Sequence, residues 1–90
     1  MKRVTLHELI EVVDGDEELV QLLVRERVIE EGPGGFRIEE VDRVLASRTL
    51  VRDLEVNIAG VDIILRLREE LAEARQHITV LEKKLGGKKR

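Results

Sequence analysis

The side chains of this chain that could do chemistry are mostly carboxylates, and they are concentrated in its first half. Residues 1–47 carry six basic and twelve acidic groups, whereas residues 48–90 carry ten basic and seven acidic groups. The acidic half includes the run Asp16-Glu17-Glu18, which follows an Asp-Gly pair. Negative charge disfavours contact with the phosphate backbone, which supplies most non-specific affinity for DNA, and it suits a basic protein partner. The charge asymmetry therefore predicts a protein-binding surface in the first half of the chain.

Residues that usually carry catalysis or hold metal ions are sparse and scattered. The chain has no Cys, its two histidines (His7 and His77) lie in separate segments, and no motif places triad partners for Ser47, its only serine. The glycine-rich stretch at 32–35 lacks the Lys-Ser/Thr that follows a phosphate-binding loop. We therefore predict a protein without enzymatic activity, cofactor or metal site.

Composition also indicates where the chain works. Without Cys it can form no disulfide, and it contains neither a run of about 18 apolar residues nor the apolar core of a signal peptide. We therefore expect a soluble, unsecreted, cytoplasmic protein with no membrane partner.

Two short helices are predicted to carry the acidic stretch. Thr5 and Glu8 stand three residues apart and can form a capping box at the start of the first helix. The turn at 14–16 ends this helix, and Asp16 can cap the second, which is predicted from Glu17 to Arg27. The residues expected to face inward are Leu6, Leu9, Ile10 and Val13, then Leu19, Leu22 and Leu23.

A short hairpin and a third helix are predicted to follow. β-branched and aromatic residues flank the glycine- and proline-rich turn at 32–35, so we expect strands at 28–31 and 36–38. The apolar spacing predicts a third helix over about 39–54. Its inward face is expected to hold Val41, Val44, Leu45, Leu50, Val51 and Leu54.

The chain is predicted to end in a long helix that extends from a small head. Asn57 can cap this helix and Gly60 can allow close packing. We divide the chain into a head at 1–60, an amphipathic helix at 61–85 and a flexible basic tail at 86–90, with the helix ending at Gly86-Gly87. A head of this size buries only about 60% of the surface of its unfolded chain, so its stability should depend on dimerisation.

Apolar residues of the long helix recur at alternating spacings of three and four, which is typical of a coiled coil. This dimer seam consists of Ile64, Leu67, Leu71, Ala74, Ile78, Leu81 and Leu85. Ile64 and Leu67 could instead pack on the head of the same chain, but residues 71–85 span about 21 Å, too far for a small head to cover. We therefore predict a homodimer and leave the orientation of its helices open.

The predicted order of helix-turn-helix, hairpin wing, helix and long terminal helix resembles the MerR-like winged-helix family. The matching residues are TLHEL at 5–9 and GFRI at 35–38. Within this family the chain more closely resembles the CbpM-like chaperone modulators, through DEEL at 16–19, RDLEVNIAGV at 52–61 and IILRL at 63–67. The resemblance spans residues 4–85, and its most specific part is the stretch that begins at Leu54.

This resemblance implies both a fold and a partner. The fold would be mainly α, with a MerR-like winged helix-turn-helix head, a short β-hairpin wing and a long C-terminal helix capable of coiled-coil pairing. CbpM-like proteins inhibit DnaJ/CbpA-type co-chaperones by occupying the basic J-domain surface that would otherwise engage Hsp70. From charge and order, rather than from a mapped family motif, the residues predicted to bind the J domain are Glu8, Glu11, Asp14, Asp16, Glu17 and Glu18.

The second helix departs from the DNA-binding members of the MerR-like family. Those proteins have an Arg-Tyr-like pair and basic residues there, whereas this helix begins with the acidic run at 16–18 and has no aromatic residue. Arg25, Arg27 and Arg37 are the best candidates for a remaining DNA surface. We expect them to pair instead with Glu26, Glu30 or Glu31. A MerR-like DNA-binding transcription regulator is therefore the alternative function.

Overall fold

The computed structural model describes residues 2–88, which are mainly helical. The elements are α1 (Leu6–Val12), α2 (Glu17–Arg25), β1 (Glu31–Gly32), β2 (Gly35–Phe36), α3 (Ile38–Arg48) and α4 (Ile58–Lys88). A π-helical turn at Thr49–Asp53 directly continues α3. The long α4 extends away from the other elements and gives the described chain a long axis of 55 Å. Within residues 2–88, no helix carries an apolar stretch that would reach across a membrane.

The predicted caps of the first two helices are confirmed. The Thr5 hydroxyl accepts a hydrogen bond from the Glu8 N–H (3.0 Å), and the Glu8 carboxylate accepts one from the Thr5 N–H (2.8 Å). At the start of α2, the Asp16 carboxylate accepts a hydrogen bond from the Leu19 N–H (3.2 Å). Each cap satisfies backbone groups that a helix terminus otherwise leaves without a partner.

Two tight turns limit α2. Before it, Asp14 and Gly15 have φ values of 55° and 83°, which Asp and Gly tolerate better than most residues. After it, the helix stops at Arg25, two residues earlier than predicted, because Arg27 takes a left-handed conformation with φ 60°. This turn directs Val28 into the core, where its N–H bonds back to a carbonyl of α2.

The hairpin is shorter than predicted and pairs with a third segment. β1 and β2 pair through Glu31 with Phe36 and Gly32 with Gly35, so each strand has two residues. Gly32 and Gly35, which were expected in the turn, belong to the strands. On its other side, Phe36 exchanges two backbone hydrogen bonds with Val4 (2.8 and 2.7 Å). Gly35 has a φ of 119°, and a Cβ there would lie 2.6 Å from the Val4 carbonyl oxygen. Only glycine therefore fits between the hairpin and the N-terminal segment.

The inward face of α3 is only partly as predicted. Val44 is fully buried, but Leu45 and Leu54 are 41% and 63% exposed. Consecutive helical residues point about 100° apart, so Leu45 falls beside the buried line of Glu40, Val44 and Ser47 rather than on it. The α-helix also ends earlier than expected, because the wider π-helical turn replaces its last part and leaves Leu54 in the link to α4.

The predicted start of α4 is confirmed, whereas its predicted end is wrong. The Asn57 side-chain oxygen accepts a hydrogen bond from the Gly60 N–H (2.8 Å), and a Cβ on Gly60 would lie only 2.8 Å from the Val56 side chain. The helix begins at Ile58 and continues past both glycines to Lys88. A glycine costs a helix about 1 kcal/mol, which does not force it to end. Residues 89–90 of the predicted tail lie outside the described residues.

One core joins the N-terminal segment, the three short helices and the hairpin to the first turns of α4. Val61 and Leu65 of α4 are buried in it, at 0% and 2% exposure, and Ile58 packs against it. Phe36, the only aromatic residue, is fully buried, but Leu6, predicted to face inward, is 38% exposed. The other buried apolar residues are Val4, Leu9, Val13, Leu19, Val20, Leu23, Val28, Ile29 and Val44.

Two polar side chains are also buried. Glu40 accepts a hydrogen bond from the Glu30 N–H (2.8 Å) and lies 3.6 Å from the Arg37 guanidinium, so it fastens the start of the hairpin to α3. Ser47 is fully buried, and its hydroxyl has no hydrogen-bond partner among the described residues. A buried polar group without a hydrogen-bond partner lowers the free energy of unfolding by about 1–3 kcal/mol, so the Ser47 hydroxyl destabilises the core.

Candidate protein-binding surface

The predicted acidic surface (Glu8, Glu11, Asp14, Asp16, Glu17 and Glu18) lies on α1, the following turn and the start of α2. Its most constrained member is Asp16, whose carboxylate accepts hydrogen bonds from Arg52 Nε (2.8 Å) and Arg52 Nη2 (3.0 Å) besides the Leu19 N–H. The Arg52 hydrogen bonds lower the pKa of Asp16, and Asp16 in turn raises the pKa of Arg52. The Asp16 side chain is 24% exposed. The Asp16 carboxylate therefore serves mainly to stabilise the fold.

Asp14 and Glu18 also contact arginines but remain open to solvent. Arg48 Nη2 lies 2.7 Å from Asp14 Oδ2, and Arg52 Nη2 lies 3.3 Å from Glu18 Oε1. The side chains of Asp14 and Glu18 are 75% and 86% exposed. Both carboxylates can therefore meet a partner, although an arginine of the same chain balances part of their charge.

Within the described residues, Glu8, Glu11 and Glu17 face solvent with no arginine paired to them. Hydrogen bonds from residue 5, first from its backbone N–H, lower the pKa of Glu8. Glu11 lies 3.8 Å from the His7 ring, and Glu17 accepts a hydrogen bond from the Gln21 amide (2.9 Å). Glu8 and Glu11 are neighbours on one side of α1 because they stand three residues apart. These three glutamates are the most available negative charges of the surface.

Replacing Asp16 by asparagine is expected to lower the free energy of unfolding by about 1–2 kcal/mol at neutral pH, because it removes a charge-assisted pair with Arg52. The pKa of Asp16 in the folded protein lies below its ordinary value of 3.8. Its stabilising effect is therefore complete above that value and is lost as the pH falls through the lower folded-state pKa. The difference between variant and wild type should shrink in acid.

Urea unfolding at pH 7 and at about pH 2.5 measures this pH dependence. Asp53→Asn is a suitable control, because Asp53 is exposed at the end of the π-helical turn. A stability difference between Asp16→Asn and wild type that is equal at both pH values would contradict the assigned role of the Asp16–Arg52 pair.

The arginines that could contact DNA are not paired as predicted. Arg37 pairs with Glu40 (3.6 Å) rather than with the glutamates at 26, 30 or 31. Among the described residues, Arg25 and Arg27 form no ion pair with a carboxylate, and both are exposed. These two arginines are therefore open to an acidic partner at the end of α2 opposite to the acidic surface.

A second acidic region lines a cleft of about 460 Å³ between α3 and α4. The cleft is bordered by Arg37, Glu39, Glu40, Asp42, Arg43, Glu69 and Glu73. Arg43 donates a hydrogen bond to the Val28 carbonyl (3.0 Å) and pairs with Glu69 of α4, which ties the long helix to the head. No group of three or more His, Asp or Glu side chains in the described part of the chain is placed to hold a metal ion. The exposed carboxylates of this cleft offer a matched comparison for those of the acidic surface.

The predicted seam of α4 is largely exposed along the helix. Leu67, Leu71, Ile78, Leu81 and Leu85 are between 49% and 60% exposed, and Ala74 is also exposed. Ile64 is half-buried, in agreement with the expectation that it could pack near the head, but Leu67 is not covered. The chain thus presents an apolar stripe that its own head does not cover.

Arg48 and Arg52 contact the acidic surface, which was not predicted from the sequence. They lie 34 to 36 positions from the carboxylates that they contact. Their spacing of four, which puts both on one side of a helix, is a signal that could have suggested a shared target.

No protein-family model, curated protein or solved structure matches this chain. Within the described residues, the acidic surface and the apolar seam of α4 are the features on which we base a proposed function.

Proposed function

We propose that this chain is a non-enzymatic chaperone modulator that binds the J domain of a DnaJ/CbpA-type co-chaperone and inhibits or tunes its action on Hsp70. In this proposal the head is a MerR-like winged helix-turn-helix with the β1–β2 hairpin as its wing, and the acidic surface contacts the J domain. The choice of a J domain as the partner rests on the resemblance to CbpM-like proteins, and the exposure of five of the six carboxylates of that surface supports it.

Charge supports a basic protein partner over DNA. In the winged-helix arrangement, α2 would approach the phosphates, yet its first turn carries Glu17 and Glu18. At about 4 Å and an effective dielectric constant of about 20, each meeting of a carboxylate with a phosphate costs about 4 kcal/mol before screening by salt. The same carboxylates would attract the basic J-domain surface that the family resemblance implies.

Replacing Glu11, Glu17 and Glu18 together by glutamine is expected to weaken binding to the J domain about tenfold or more. Exposed ion pairs contribute up to about 1 kcal/mol each, so three of them suffice for that change. The variant leaves Asp16 and the Glu8 cap intact, so the fold should be retained. Isothermal titration calorimetry with the J domain of a DnaJ-type co-chaperone from the same source measures the effect.

A matched control removes three charges from the cleft between α3 and α4, by Glu39→Gln, Asp42→Asn and Glu73→Gln. All three residues are exposed, and this variant should bind the J domain as wild type does. If both variants lost affinity equally, net charge rather than the acidic surface would account for binding. Unchanged affinity of the Glu11, Glu17 and Glu18 variant would refute the assigned contact.

We also propose that the chain forms a homodimer through the seam of α4. Its support is the exposed apolar stripe from Leu67 to Leu85, which continues for several turns beyond the head. Pairing with a second copy would remove this stripe from water, and burial of apolar surface contributes about 25 cal/mol per Å². A small head would gain stability from the same association.

A second candidate function is a MerR-like DNA-binding transcription regulator. The exposure of Arg25 and Arg27 without ion pairs in the described residues favours it. This function requires sequence-specific binding to duplex DNA, with an affinity that falls steeply as salt rises. Selection of binding sites from a random duplex library tests it, and recovery of no enriched sequence would exclude it.

A further inference from the structure

We propose that Arg48 and Arg52 are internal competitors for the acidic surface, and that a basic partner binds by displacing them from Asp14 and Glu18. The inference rests on the proposed J-domain function. It adds that the two arginines limit the affinity of the chain for its basic partner. Two positive charges of the chain already occupy places that lysines or arginines of a partner would take.

The positions of the two arginines explain how both reach the turn between α1 and α2 and the start of α2. Arg48 is the last residue of α3 and Arg52 lies in the π-helical turn that continues it. Because they are four residues apart, their side chains project from the same side of the helix. Arg48 reaches Asp14 in the turn between α1 and α2 (2.7 Å), and Arg52 reaches Glu18 in the first turn of α2 (3.3 Å). Each guanidinium thus stands where it reduces the negative field that a basic partner would meet.

The contacts differ in how easily they can be exchanged. Asp16 accepts two hydrogen bonds from Arg52 and caps α2, and its side chain is only 24% exposed. By contrast, Asp14 and Glu18 have highly exposed side chains, and each forms a single ion-pair contact. Exposed pairs of this kind contribute little to stability, so a partner can replace them at small cost. Arg52 therefore keeps its bond to Asp16 while its contact with Glu18 is exchanged.

Replacing Arg48 by glutamine is expected to tighten the binding of a basic partner about two- to fivefold, because it releases Asp14 and removes a repelling charge. Arg48 is preferable to Arg52 for this test, because it leaves the Asp16 cap untouched. The matched control is Arg66→Gln. Arg66 also forms an exposed pair, with Asp62 (2.7 Å), but it lies on α4 away from the acidic surface.

Two probes are titrated into each protein by calorimetry at low salt: the J domain and a hexalysine peptide. For both probes we expect Arg48→Gln to bind more tightly than wild type and Arg66→Gln to bind as wild type does. Adding Asp14→Asn to Arg48→Gln should remove the gain, because the released carboxylate is then absent. Equal affinities of Arg48→Gln and Arg66→Gln would overturn the inference.

The two probes separate this inference from the proposed function. If the J domain binds none of the proteins, the proposed function fails, and the hexalysine affinities alone decide whether Arg48 competes for the acidic surface. If the J domain binds wild type but Arg48→Gln brings no gain with either probe, the function stands and Arg48 has only a structural role. A melting temperature of Arg48→Gln close to that of wild type confirms that the comparison concerns binding rather than folding.

Discussion

Replacing Phe36 by alanine is expected to lower the free energy of unfolding by about 3–5 kcal/mol. Phe36 is fully buried, and its backbone bonds on one side to β1 and on the other to Val4. Its ring is the largest fully buried side chain, and its removal leaves a cavity because the surrounding core relaxes only in part. A domain of this length has a total stability of about 5–13 kcal/mol, so the variant should lose a large fraction of it.

Urea unfolding followed by far-UV circular dichroism measures this loss. Ile38→Ala is the matched control, because Ile38 lies two residues further along and is 57% exposed. We expect Ile38→Ala to change stability by less than about 0.5 kcal/mol. A loss below about 1 kcal/mol for Phe36→Ala would contradict the packing of the hairpin on the core.

Replacing Leu71 and Ile78 together by arginine is expected to abolish the proposed homodimer and leave a monomer. These residues are 50% and 55% exposed, occupy equivalent positions in successive repeats of the seam, and have no cover from the head. Two arginines on each helix would face like charges across the pairing interface, and desolvating them would oppose association. Sedimentation equilibrium should give twice the chain mass of 10.3 kDa for wild type and a single chain mass for the variant.

The control for the seam carries Glu73→Arg and Gln76→Arg, which lie on α4 outside the seam positions and are exposed. It adds the same number of arginines and should remain dimeric. Wild-type protein that sediments as a monomer would contradict the proposed homodimer. A dimer that persists in Leu71→Arg/Ile78→Arg would show that another surface joins the chains.

Local signals in the sequence were enough to predict the starts of α1, α2 and α4. Thr5 with Glu8, Asp16 and Asn57 each cap a helix as expected, because a cap depends on atoms only a few residues apart. The predicted end of α4 was wrong, because glycine weakens a helix without forcing it to stop. The helix continues to Lys88.

Features that depend on tertiary packing were harder to predict. The pairing of Val4 with Phe36 joins segments about thirty residues apart, and neither has a pattern that identifies the other. The π-helical turn changes the helical repeat near residue 49, so an apolar pattern read with one fixed period misplaced Leu54. Leu45 was wrongly assigned to the inward face for a simpler reason. It follows the fully buried Val44 on the same helix, and the rotation of about 100° per residue turns it away from the core.

The exposure of five of the six predicted carboxylates agrees with a surface position, whereas their role in binding stays a prediction and their ion pairs with arginines were not predicted. Sequence alone treats Asp14, Asp16 and Glu18 as equal contributors of negative charge. In the folded chain, Asp16 is 24% exposed and paired with Arg52, whereas Asp14 and Glu18 are 75% and 86% exposed and each contacts one arginine. Long-range ion pairs of this kind follow from how α3 lies across the α1–α2 corner, which no local pattern specifies.

The most direct test of the proposed function is a calorimetric titration of the full chain into the isolated J domain of a DnaJ-type co-chaperone from the same source, at two salt concentrations. We predict saturable binding that weakens as salt rises, because exposed carboxylates such as Glu11 and Glu17 would form the contact. The absence of binding at both salt concentrations would contradict co-chaperone control.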